Sequence, residues 1–135
     1  MQLVWRSTVT VDPHIARTVA RATLCAALGI ITWLALTPTP PEVSNFTGWD
    51  KANHTLAFFV LAGIGQYSVQ RADKTIWFLL ALYGVGIELC QGYFGYRYFE
   101  LTDILANVFG IGLFVLCSPL LLKLPLLQTL KSNRQ

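Results

Sequence analysis

Thr75-Ile76-Trp77-Phe78-Leu79-Leu80-Ala81-Leu82-Tyr83-Gly84-Val85-Gly86-Ile87-Glu88-Leu89-Cys90-Gln91-Gly92-Tyr93 is an unbroken apolar run with a single charged residue and no proline. A helix needs about 20 mostly apolar residues to cross the hydrocarbon core of a bilayer, and this run has that length. It therefore reads as a membrane-spanning helix. Its one carboxylate, Glu88, lies more than a turn inside the run. An ionised acid at such depth costs about 2.5–3.5 kcal/mol on insertion scales unless it finds a partner, water or a proton. The same stretch thus sets the solvent of the fold and implies a polar site within it.

Three further runs flank it. They cover about 19–36, 52–69 and 104–122, beside 75–93 for the run quoted above. The first ends at Thr37-Pro38-Thr39-Pro40-Pro41, where prolines cannot continue a helix. The second is the least apolar, because it carries His54 and Gln66. Arg71-Ala72-Asp73-Lys74 separates the second run from the third, and 92–102 separates the third from the fourth. The expected fold is all-α: one domain over 1–135, a bundle of four transmembrane helices. A cleaved signal peptide is a weaker reading of the first run, which is long and lacks a small-x-small cleavage site.

Composition agrees. The chain is 54% hydrophobic and 13% charged, against about 25% charged in soluble domains. A formal charge of +3, with no basic stripe interleaved with aromatics, argues against a nucleic-acid partner. Cys25, Cys90 and Cys117 lie inside apolar runs and read as small apolar side chains, neither disulfide partners nor metal ligands. No cofactor is expected. Eight of the ten basic residues (Arg6, Arg17, Arg21, Arg71, Lys74, Lys123, Lys131 and Arg134) fall on one side of this layout, leaving Lys51 and Arg97 on the other. The positive-inside rule then places both termini in the cytoplasm.

The remaining polar residues gather at the opposite, outer end. Asp50, Lys51 and His54 open the second run, Glu88 and Gln91 close the third, and Asp103 and Asn107 open the fourth, with Arg97 in the loop between. Asp50 and His54 are spaced i,i+4, Glu88 and Gln91 i,i+3, and Asp103, Asn107 and Gly110 i,i+4,i+7, so each set forms one stripe on its helix. Gly84 and Gly110 allow close approach of neighbouring helices, turning the stripes toward one another. Taken singly, Asp50 and Asp103 also suit ordinary helix starts. Asn107 suits an interhelical tie. Glu88 and His54, both inside a span, resist such readings.

These residues carry a family resemblance. D-K-x-x-H at Asp50 to His54, E-x-x-Q at Glu88 to Gln91, and R-x5-D-x3-N-x2-G from Arg97 through Asp103 and Asn107 to Gly110 resemble the VanZ-like family in order and spacing. The resemblance covers about 50–110, with the hydrophobic layout extending it over the first run, and Phe114 departs from it where a further glycine often follows. It implies a multi-pass protein of the bacterial cytoplasmic membrane acting at the outer leaflet near cell-wall precursors. The family's founding member is associated with teicoplanin resistance. The resemblance names no reaction.

Three functions are compatible with this pattern. In the first, Asp50, Lys51, His54, Glu88, Gln91, Arg97, Asp103 and Asn107 line an outer pocket for the headgroup of a lipid-linked wall precursor or a lipoglycopeptide. Arg97 would grip a phosphate or carboxylate bidentately, and Lys51 would add charge. In the second, the chain is an intramembrane enzyme with His54 as general base oriented by Asp50, and Glu88 as the acid. A metal is conceivable on Asp50, His54, Glu88 and Asp103, but no compact ligand motif supports one, so none is expected. In the third, the cluster fixes helix packing in a small accessory subunit with a membrane-protein partner.

Overall fold

The computed structural model describes residues 12–37, 47–69, 74–95 and 99–121. Within them the chain forms four helices: α1 (Pro13–Leu36), α2 (Thr47–Ser68), α3 (Lys74–Phe94) and α4 (Leu101–Leu121). There is no strand among the described residues.

The Asp12 carboxylate caps the start of α1, accepting the His14 backbone N–H at 2.8 Å, with Pro13 as the first helical residue. That arrangement satisfies one of the orphan N–H groups and uses a residue that lacks one. The helix stops at Leu36 because Thr37, which precedes Pro38, is extended at φ −78 and ψ 129. Helices α1, α3 and α4 are long and apolar enough to cross a membrane, whereas α2 is not among these. The outward-facing side chains are large and apolar on every helix, as with Trp33, Leu56, Phe78 and Leu116. This is the reverse of a soluble surface. The chain is an all-α membrane bundle.

Helix α2 is the hub, packed against each of the other three and most extensively against α4. Its inward stripe runs Lys51, His54, Thr55, Phe58, Leu61, Ala62 and Gly65, the i, i+3, i+4, i+7 series of one helix face. The buried residues of α3 are Leu80, Gly84, Ile87, Glu88 and Gln91, and those of α4 are Asp103, Asn107, Gly110, Ile111 and Phe114. Every stripe is apolar at one end and polar at the other. The apolar ends meet in a core of Phe58, Leu61, Ala62, Leu80, Ile111 and Phe114, against which Leu24, Leu28 and Ile31 of α1 pack.

Gly110 sets the α2–α4 distance, since a β-carbon there would collide with the Thr55 backbone carbonyl. Thr55 Oγ1 adds a hydrogen bond to the Ala106 carbonyl at 3.3 Å. Phe114, the departure from the family pattern, is buried against Phe59, with ring centroids 5.7 Å apart, edge to face. Gly63 makes room for that ring, as a β-carbon there would lie 3.2 Å from it. The large side chain on α4 is thus matched by a missing one on α2. Helix α1 is tied on by Thr32 Oγ1 and Tyr83 OH at 2.8 Å, and by Tyr83 OH donating to the Leu28 carbonyl at 2.9 Å. Arg21 Nε also donates to the Ser68 carbonyl at 3.0 Å.

Candidate functional site

His54, one helical turn after Asp50 on α2, lies at the centre of the polar end. Its Nδ1 is 2.9 Å from Asn107 Oδ1 on α4. Its Nε2 faces two carboxylates, Asp103 Oδ2 at 3.7 Å and Glu88 Oε1 at 4.0 Å. Glu88, Asp103 and Asn107 are all at most 1% exposed. The imidazole is therefore held between three buried polar side chains from α3 and α4. Asn107 fits because position 84 is glycine; a β-carbon there would lie 2.8 Å from Asn107 Nδ2 and 3.0 Å from the Phe58 ring. The Asn107 Nδ2 group has no hydrogen-bond partner among the described residues, so the amide acts through its contact with His54.

Toward the rim, Lys51 Nζ bridges two acids of the α4 entry, Glu100 Oε2 at 2.9 Å and Asp103 Oδ1 at 3.3 Å. Asp103 thus spans the site, with one oxygen on Lys51 and the other beside His54. Thr102 Oγ1 also donates to Glu100 Oε2, at 3.1 Å. The hydrogen bond from Lys51 holds the Glu100 carboxyl below its usual 4.5, and Thr102 adds to this. The bond to Glu100 is also the main cause raising Lys51 above its usual 10.5. Both groups stay charged across the neutral range. The ligating atoms of Asp50, His54 and Asp103 lie within 4.8 Å of one another.

The sequence-derived candidates divide clearly. Asp50, Lys51, His54, Glu88, Asp103 and Asn107 come together at one end of the bundle. Gln91 is buried at the same level, but its Nε2 donates to the Ala35 carbonyl of α1 at 2.9 Å. It joins α3 to α1. Arg97 lies outside the described residues, as do Arg6, Arg71, Lys123, Lys131 and Arg134 of the charge-asymmetry argument. Glu100 and Thr55 belong to the site and its support without having been singled out. The only sequence signal for Glu100 is its place three residues before Asp103.

Fold and site together define a polytopic helical membrane protein with a buried, carboxylate-rich polar centre at one end of its bundle. The family model described as VanZ/LLP1 matches residues 22–122, most of the chain, and the protein belongs to that family. Comparison with curated proteins and with solved structures gave no match in either case.

Proposed function

We propose that the polar centre faces the outer leaflet of a bacterial cytoplasmic membrane and receives the headgroup of a lipid-anchored envelope molecule. A lipid-linked wall precursor or a lipoglycopeptide of the teicoplanin kind is the ligand class. The observation that carries this is the convergence of buried Glu88, Asp103 and Asn107 on His54 at one end of an otherwise apolar bundle. Polar and ionisable groups inside a membrane are costly to keep, and a ligand at headgroup depth is a reason for them to be there. Lys51 and Glu100 form the rim, and Arg97, which the sequence places between the third and fourth apolar runs, is the residue assigned to an anionic group.

The test is thermal stabilisation of the purified protein by wall-precursor lipid and by teicoplanin, in the parent and in Glu88→Gln, His54→Ala and Arg97→Ala. The expected result is a ligand-dependent rise in melting temperature for the parent. The variants should keep the parent's ligand-free melting point and lose that rise. Variants that unfold, with no ligand stabilising the parent, would make the cluster a packing device.

A second reading is favoured by one specific contact. Asn107 fixes one imidazole nitrogen and leaves the other facing two acids. That is the geometry of an oriented acid–base group, with His54 as base and Glu88 as acid. Turnover of a labelled lipid-linked substrate, lost in His54→Ala, would move the protein from binding module to enzyme. Tight binding without turnover would leave it a binder.

A further inference from the structure

We propose that Arg21, with Arg17 one turn before it on α1, holds the phosphate of an anionic phospholipid at the end of the bundle opposite the polar centre, the lipid's acyl chain lying along α1. The argument starts from where Arg21 stands. The hydrogen bond from Gln91 to the Ala35 carbonyl puts the end of α1 at the level of the polar centre. Arg21 lies about 21 Å back along α1 from Ala35, at 1.5 Å per residue. In a hydrocarbon core about 30 Å thick, that leaves its guanidinium within side-chain reach of the far headgroups. An arginine inside a span is costly to keep and calls for a partner.

The guanidinium is already aimed. Its Nε donates to the Ser68 carbonyl at 3.0 Å, and Ser68 is the last residue of α2. That carbonyl is one of those a helix end leaves without an intrahelical acceptor role. The bond fixes the side chain across the α1–α2 junction and uses one of its five N–H donors. The two Nη groups remain, and their fork matches two oxygens of a phosphate. Arg17 follows the same helix face at i,i+4 and adds a second charge.

Space for a chain lies beside the charge. Cys25 and Gly29 follow Arg21 at one and two turns, Cys25 exposed and Gly29 with nothing within 4 Å of a β-carbon. Small side chains on that face leave a shallow strip running from the guanidinium toward the bilayer centre. The described charges also sort by sign along the bundle. Asp50, Glu88, Glu100 and Asp103 gather with Lys51 at the polar centre, whereas Arg17, Arg21 and Lys74 lie at the other end, where Asp12 caps α1. The ligand of that end is accordingly anionic.

This site is independent of the headgroup reading, because it lies at the opposite end and on other residues. Native mass spectrometry of the purified full-length protein in neutral detergent counts retained lipid. The probes are phosphatidylglycerol, phosphatidylcholine with the same chains, and glycerol 3-phosphate. The expected result is one phosphatidylglycerol per chain, retained in preference to phosphatidylcholine and not displaced by an equal concentration of glycerol 3-phosphate. Arg21→Gln should weaken retention about 10–100-fold, the worth of hydrogen bonds to a charged group. Arg17→Gln, which breaks no hydrogen bond among the described residues, should weaken it about 5-fold. Arg21→Lys should restore little, because an ammonium lacks the fork. Equal retention of the two lipids by the parent would overturn the proposal, and that measurement needs no variant to fold. So would undiminished retention in a folded Arg21→Gln protein, which would make Arg21 only a cap for α2. Full recovery in Arg21→Lys would overturn it too, by reducing the site to diffuse attraction.

Discussion

At Gly110 the atom that a β-carbon would strike is the Thr55 backbone carbonyl, and backbone cannot swing aside as a side-chain tip can. Gly110→Ala should therefore push α4 off α2 and destabilise the bundle by about 1–3 kcal/mol, the usual penalty of overpacking. Gly112→Ala is the matched control, because nothing lies within 4 Å of a β-carbon there. Chemical denaturation of the two variants in the same detergent checks the difference. Phe114 makes the opposite case. Truncation to Ala would empty the space beside Gly63 and Phe59, and large-to-small changes of this kind cost about 3–5 kcal/mol in soluble cores. An unchanged unfolding midpoint for Phe114→Ala would show that the ring is not part of the packed core. At this scale the sequence was a good guide wherever one helix suffices to make the argument. Glu88, His54, Asp103 and Asn107 were legible because helical periodicity alone puts each on its stripe. Thr55 and Glu100 were not, since their partners depend on how far α2 and α4 slide past each other. No spacing within a single helix records that offset.

Between elements, the Lys51–Glu100 pair clamps the start of α2 to the entry of α4. Its side chains are 36% and 44% exposed, so water screens the attraction heavily. A double-mutant cycle with Lys51→Met and Glu100→Gln should return a coupling of only about 0.2–1 kcal/mol, smaller in high salt. The sign with pH follows from the shifts. Glu100 titrates below 4.5 when folded, so its contribution is complete above that value and is lost as pH falls through the lowered one. Lys51 is raised above 10.5, so its contribution is complete below that value and is lost only as pH rises beyond it. Coupling measured near neutrality should accordingly be flat with pH. Gln91 shows the limit of reading a stripe too broadly. Three residues after Glu88 it stands about 60° farther round α3, which is enough to turn it to the Ala35 carbonyl of α1. Its replacement by Leu should loosen α1, seen as faster limited proteolysis of that helix, while leaving the His54–Asn107 contact in place.

For the molecule as a whole, four helices and a membrane environment were legible from run length and the scarcity of charge, and the family match agrees with both. The central position of α2 was not, because polarity made it look like the weakest element when it is the one the others surround. That both termini lie in the cytoplasm is an expectation from the asymmetry of basic residues. Reporter fusions at each end, active on the same side, are the expected result; activity on opposite sides would break the four-span layout. The polarity of α2 also has a consequence for biogenesis. With Asp50, Lys51 and His54 in its first turns, α2 gains little by entering lipid alone. The partners that offset that cost, Asp103, Asn107 and Glu100, are made some fifty residues later. During synthesis the hub helix is therefore expected to stay at the translocon, or slip back, until α4 emerges. A ribosome stalled before residue 101 should leave α2 open to aqueous labelling, and release of the finished chain should close it.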